Sequence, residues 1–405
     1  MKTTQKRFSL KCAASKKQLA NPGWQFLSWG MLALALLLSG CSLTKSSLIV
    51  PTRGYAWPTT TRDYWPTAGW KTAQPGDHGI DVTQLGVAED FARSDPLTRC
   101  LLVVKDGYIV SEKYYGDGAE DQSSNLWSVT KSFTSALVGI LFTRNLVTNV
   151  DQLMTAYLPG YPEFGEMTIR HVLTHTSGLS WTEEGEPWVN WVRSGDWIAA
   201  ALARRREHQP GRVFKYSSAN SQFLCGLIRA ASGKTPGQLA EESLFLPLGI
   251  PFNRLTEIVH YDRWDEYKAP LDHSWRQDPT GLETGGFCLY LTARDMAKFG
   301  FLFLNRGAWD GRQILSPHWV EESTRDQATN IYGRHSYGYH WWITRVDGTP
   351  CFLASGLGGQ IIGVVPSRDL VVVIKYEAEA PQHPVPGTAH DDMRLFELVV
   401  RSVIR

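Results

Sequence analysis

The strand signals of this chain lie at its two ends, and a long helical stretch separates them. At the front, Cys100-Leu101-Leu102-Val103-Val104-Lys105-Asp106-Gly107-Tyr108-Ile109-Val110-Ser111-Glu112 sets two β-rich runs around Asp106-Gly107, the dipeptide of a type I′ hairpin turn. A helix is expected just before it, capped at Asp81 with Gln84 three residues on, and running to Arg93. The next strand signals come late. Tyr337 to Ile343 reads as one strand, Gln360 to Val365 as a second and Leu370 to Lys375 as a third, with Pro366-Ser367-Arg368-Asp369 turning between the last two. Between the two ends the chain reads mainly as helix, with Gly233 stopping one helix and Pro236 opening the next after Thr235. The expected fold class is therefore α+β: an antiparallel sheet flanked by helices and shared by both ends of the chain, plus an inserted, mainly helical domain. The sheet part is expected over 76–126 and 285–405, and the helical part over 127–284.

The first 41 residues are read separately, as a targeting segment. They hold six Lys or Arg and no acid, then an apolar run from Met31 to Leu38 that is too short to span a bilayer. Leu38-Ser39-Gly40-Cys41 follows and resembles the lipobox of bacterial lipoproteins, which implies lipid on Cys41 as the first mature residue. The expectation is an exported lipoprotein on the periplasmic side, held by its lipid alone, and Ser42 after the cysteine favours the outer membrane. Residues 42–75, rich in Ser, Thr, Pro, Trp and Tyr, read as a tether and extended wrap. Removing the leader from 41 basic and 40 acidic residues leaves 35 and 40, a balance that points to no nucleic-acid partner. Cys100, Cys225, Cys288 and Cys351 show no C-x-x-C or Cys/His spacing for a metal; isolated buried thiols are favoured over disulfides, which an exported setting would permit.

The chemistry-bearing pattern is Ser128-Val129-Thr130-Lys131. Apolar residues at Phe133, Ala136, Leu137, Ile140 and Leu141 place it on a buried helix, where positions i and i+3 share a face. Lys131 is then beside the Ser128 hydroxyl. A desolvated lysine loses its proton more easily, and the neutral amine can take the serine proton. Ser128 would also stand at a helix N-terminus, which favours developing negative charge. The pattern recurs at Ser42-Leu43-Thr44-Lys45, inside the tether, so it is context that singles out Ser128: strands before, a helix after, and two further stretches downstream. These are Tyr216-Ser217-Ser218, after the Pro210-Gly211 turn, and Ala354-Ser355-Gly356-Leu357-Gly358-Gly359-Gln360, leading into a strand.

Together the three stretches resemble the serine β-lactamase and penicillin-binding-protein superfamily, and within it class C β-lactamases with their related esterases and amidases. Tyr-Ser-Ser and Gly-Leu-Gly-Gly-Gln are most similar to 6-aminohexanoate-dimer hydrolase relatives. Supporting runs are Thr168 to Leu179 and Leu291 to Gly300, and the likeness covers residues 80–400. It implies an acyl-enzyme on Ser128, with Lys131 easing loss of the serine proton and Tyr216 relaying protons, as base toward serine and then as acid toward the leaving group; which of the two is the immediate base is disputed across such enzymes. It implies an oxyanion hole from the backbone N–H groups of Ser128 and Leu357, and substrate contacts from Ser218, Gly356 and Gly358. No metal or cofactor is implied, no protein partner, and as ligand only a small ester or amide.

Two departures bear on substrate. Ser218 stands where the family usually has Asn, and Ala354 where it usually has Lys or His. The second removes a cation expected to help hold a β-lactam carboxylate. The leading expectation is a serine hydrolase of esters or amides. Two alternatives stay open: a D-alanyl-D-alanine peptidase or β-lactamase on the same fold, and a non-catalytic binding lipoprotein. His171 and His175 lack a third ligand or an H-E-x-x-H glutamate and read as structural. Trp181, Trp188, Trp191 and Trp197 fit a cleft wall and a core equally well.

Overall fold

The computed structural model describes residues 54–254, 259, 271–331, 335–377 and 392–404. Cys41, the basic leader and residues 42–45 lie outside them. The hairpin at the front forms as its turn dipeptide requires: β1 (Thr98–Lys105) and β2 (Tyr108–Tyr114) meet across Asp106 at φ 56° and Gly107 at φ 93°, the two left-handed positions of a type I′ turn. The late strands are β3 (Ala328–Ile331), β4 (His335–Tyr337), β5 (Trp342–Val346), β6 (Thr349–Gly356), β7 (Gln360–Val365) and β8 (Leu370–Tyr376). They join the hairpin in one eight-stranded sheet, ordered β2-β1-β8-β7-β6-β5-β4-β3. The join is the antiparallel pairing of β1 with β8, which sets Leu101 opposite Ile374 and Val103 opposite Val372.

Alternate side chains leave the sheet on opposite faces. Leu101, Val103, Val372 and Ile374 pack with Leu85, Ala88, Leu395, Phe396 and Val399, from the helices Val82–Ser94 and Asp392–Ser402. Cys100, Leu102, Val104, Val371 and Val373 face the other way, into the larger core that the helix Ala293–Leu304 shares with the inserted helices. There Phe133 of the helix Thr130–Thr143 stacks on Phe299 of the helix Ala293–Leu304, with ring centroids 3.7 Å apart. Burying a side chain of this size contributes roughly 1.5–3 kcal/mol. Gly363 on β7 lets the terminal helix approach, since a Cβ there would lie 2.2 Å from the Phe396 ring.

The Asp81 carboxylate caps the first helix by accepting the Thr83 and Gln84 N–H groups. Residues 54–73 pack over the domain with almost no regular secondary structure, turning at Pro66–Gly69. Arg62 forms a two-pronged pair with Asp369, both contacts at 2.7 Å, and its Nε donates to Asn305 Oδ1. Cys100, Cys225, Cys288 and Cys351 are all free and buried. One strand expectation fails. Tyr337 to Ile343 is not continuous, because the chain leaves the ladder after Tyr337 and rejoins at Trp342. His340 sits in that break at φ 60°, and its N–H donates to the Leu173 carbonyl inside the helical block. Gly338 makes the exit possible, since a Cβ there would fall 2.0 Å from the Ser323 carbonyl oxygen.

Candidate active site

Asn125 shapes the turn that presents Ser128. Its side-chain oxygen accepts the N–H of Trp127 at 2.9 Å and of Cys288 at 3.0 Å, while the Leu126 N–H bonds the Leu289 carbonyl at 2.8 Å. Trp127 is held at φ 49°, a conformation that bulky residues rarely adopt. The tight turn Trp127–Val129 then runs straight into the helix Thr130–Thr143, leaving Ser128 half-buried at its mouth. Ser132 fixes the helix from below, its hydroxyl donating to the His340 carbonyl at 2.6 Å.

Lys131 lies one turn on and is 1% exposed. Its Nζ is 2.9 Å from Ser128 Oγ, 3.0 Å from Ser218 Oγ and 3.0 Å from the Gly286 carbonyl oxygen. Glycine at 286 permits that last contact, because a Cβ would crowd Ser218 Oγ at 3.0 Å and Lys131 Nζ at 3.2 Å. Burial pushes the amine down to about 8, with the Glu183 carboxylate pulling in the opposite direction. Such an amine exchanges its proton near neutral pH, as a base for a hydroxyl must.

Tyr216 covers the lysine. Its ring centroid is 4.8 Å from Lys131 Nζ, and the ring stacks on Trp342 at 5.9 Å with a 20° tilt. Beneath Tyr216, His175 packs 4.7 Å away and stacks in turn on His340 at 4.5 Å. Burial and then the neighbouring cationic groups hold both imidazoles neutral: His340 is down to about 3, and His175 lies well below its ordinary value. His171 instead caps a helix, its Nδ1 accepting the Thr168 N–H at 3.2 Å. Among the described residues no group of three or more His, Cys, Asp or Glu could hold a metal ion.

The sheet closes the other side. Gly356, at the end of β6, lies against the turn before the helix: a Cβ on it would be 2.5 Å from the Leu126 carbonyl oxygen and 3.1 Å from the Ser128 nitrogen. Leu357, Gly358 and Gly359 make the following turn, with Gly358 at φ 76° and Gly359 at φ 92°. Ala354 is 1% exposed and part of the core. Thus Ser128, Lys131, Tyr216, Ser218 and Gly356 come together from three separated stretches of chain.

Ser218 departs from expectation. Rather than facing a ligand, it is 2% exposed in the first turn of the helix Ser218–Ser232. Its hydroxyl accepts from Lys131 and donates to Glu183 Oε2 at 2.7 Å. Glu183 and Gly286 are site residues that the motifs did not single out. The Gly285-Gly286 pair was a usable signal of close backbone approach. The tryptophans divide their roles: Trp191 and Trp197 are fully buried, Trp188 is half-buried, and all three pack on Phe287, next to Gly286.

A family model described as β-lactamase matches residues 86–390. The chain belongs to the β-lactamase family. This is a family of serine-hydrolase type, with ester- and amide-cleaving enzymes among its neighbours. The 6-aminohexanoate-dimer hydrolase of Paenarthrobacter ureafaciens is 24% identical over 321 residues, covering 72% of this chain and 74% of that protein. Two solved structures share the fold. One, from Bacillus anthracis and provisionally assigned as a 6-aminohexanoate-dimer hydrolase, has a TM-score of 0.64 at 20% identity, covering 83% of this chain and 87% of its own. The other, a family VIII carboxylesterase, has a TM-score of 0.58 at 19% identity, covering 80% and 99%.

Proposed function

We propose that this member of the β-lactamase family cleaves a small carboxylic ester or amide through an acyl-enzyme on Ser128. The observation that carries the reading is the buried Lys131 amine, 2.9 Å from Ser128 Oγ. The neutral amine takes the serine proton as Oγ attacks the substrate carbonyl carbon. Negative charge collects on the carbonyl oxygen, and the N–H groups of Ser128 and Leu357 stabilise it. The bond to the leaving alcohol or amine then breaks, and the proton passes from Lys131 by way of the Tyr216 hydroxyl to the leaving group. Water attacks the acyl-enzyme in the second half, releasing the acid and returning the proton to Ser128.

The buried Ala354 supports small esters and amides over β-lactams, since the strand offers no cation there for a ring carboxylate. The test is hydrolysis of a short-chain p-nitrophenyl ester by the parent, Ser128→Ala and Tyr216→Phe, with a cephalosporin alongside. Ser128→Ala should lose essentially all of the rate and Tyr216→Phe most of it. Hydrolysis that survives Ser128→Ala refutes the nucleophile, and cephalosporin turnover matching the ester refutes the substrate class.

A further inference from the structure

We infer that Glu183 is a positioning residue for the reaction: it holds the Ser218 hydroxyl as an acceptor, and so aims the Lys131 lone pair at Ser128. The inference rests on the acyl-enzyme reading above. A neutral lysine has two N–H donors and one lone pair. The Ser218 oxygen and the Gly286 carbonyl, each 3.0 Å away, take the two N–H groups, which leaves the lone pair for Ser128. A carbonyl can only accept. A hydroxyl can also donate, and a Ser218 proton turned toward the amine would occupy the lone pair that Ser128 needs.

Glu183 removes that choice. Its Oε2 takes the Ser218 hydroxyl proton at 2.7 Å. Its Oε1 accepts the Ser218 backbone N–H and the Trp181 Nε1–H, both at 2.6 Å. Every contact to the carboxylate is therefore a donor, and the chain Lys131 to Ser218 to Glu183 runs in one direction only. The charged and titratable groups around it come from several elements. Tyr216, His175 and His340 lie near the lysine, and Arg204, 4.3 Å over the Trp181 ring, lies on the Glu183 side.

Glu183→Gln reverses the chain. The amide oxygen must remain against the two N–H donors, so its NH2 replaces Oε2 and donates to Ser218 Oγ. The Ser218 hydroxyl then turns to Lys131 and competes with Ser128. Ester hydrolysis should fall about 10²-fold on its alkaline plateau, the scale of a lost general base. The acid limb should move down by roughly one pH unit, because a donor and a missing carboxylate both disfavour the ammonium.

The experiment is the pH–rate profile of the full chain as parent, Glu183→Gln, Ser218→Ala and the double variant, with Ser128→Ala as control. With no hydroxyl left to turn, Glu183→Gln should cost less than about threefold in the Ser218→Ala background. An acid limb that stays in place, with equal plateau losses in both backgrounds, overturns the inference and leaves Glu183 a packing residue. If Glu183→Gln does not fold, Ser218→Ala reads the link from its other end: its acid limb must move down as the amine loses an acceptor, and a fixed limb overturns the inference. A Ser128→Ala protein as active as the parent would instead sink the acyl-enzyme reading itself.

Discussion

Replacing Lys131 by Met tests whether the amine is held against its own charge. The unfolded chain leaves this lysine near its ordinary 10.5, and the folded site holds it at about 8, chiefly through burial. Below pH 8 the ammonium is present in both states, and folding bears the full cost of burying it. Between pH 8 and 10.5 the folded protein has released the proton and the unfolded chain has not, so stability rises with pH. Above 10.5 both forms are neutral. At about 1.4 kcal/mol for each pH unit, the window is worth about 3 kcal/mol. Methionine has no proton to release. It also strands the Ser218 and Gly286 acceptors, a loss of about 1–3 kcal/mol that does not change with pH. Urea unfolding of parent and Lys131→Met at pH 7 and pH 10.5 should therefore show the variant losing about 3 kcal/mol relative to the parent over that interval. Lys375, also buried and also down to about 8, is present in both proteins and cancels. A constant difference between the two proteins would refute the desolvated amine, and with it the basis for a neutral base at Ser128.

Gly356→Ala should abolish most ester hydrolysis, by about 10²-fold or more, since its methyl would fall 2.5 Å from the Leu126 carbonyl oxygen and force the Ser128 turn away from β6. The check is kcat beside a thermal melt, and a folded variant of parental rate would remove Gly356 from the site. Arg62→Ala should destabilise the domain by about 3–5 kcal/mol, because the Arg62 and Asp369 side chains are only 5% and 13% exposed and the acid would lose its partner. A melting point within a degree of the parent would show that the Arg62–Asp369 pair adds nothing. Cys41→Ala should move the protein from membrane to soluble fractions of a bacterial host and abolish labelling by a fatty-acid analogue; unchanged fractionation and labelling would refute the lipobox.

What could be read from the sequence was the structure determined within a few residues. Asp106-Gly107 specifies its own turn because both residues must take positive φ, and few other dipeptides do so. Asp81 caps a helix through N–H groups two and three residues away. Lys131 meets Ser128 because helical pitch puts them together. The Tyr337 to Ile343 run misled because its residues have strand propensity, while the decision lay with distant partners: Ser323, whose carbonyl leaves room only for glycine, and Leu173, which takes the His340 N–H. Propensity is a weak guide where tertiary contacts decide.

Ser218 shows the same limit at the level of chemistry. Its place after Tyr216 suggested a ligand contact by analogy with the family's Asn. An Asn amide has separate donor and acceptor atoms and can serve two partners with a fixed polarity, whereas one hydroxyl must have its polarity set from outside. In this chain the setting comes from Glu183, 35 residues earlier, on a loop that no local rule places near Lys131. The departure from the family pattern was thus visible in the sequence at 218, but its compensation was not. If the two changes are coupled as the geometry requires, restoring the family's residue by Ser218→Asn should make Glu183 less necessary: Ser218→Asn with Glu183→Gln should hydrolyse esters faster than Glu183→Gln alone. A double variant no faster than the single one would mean that Ser218 and Glu183 do not compensate for the missing Asn.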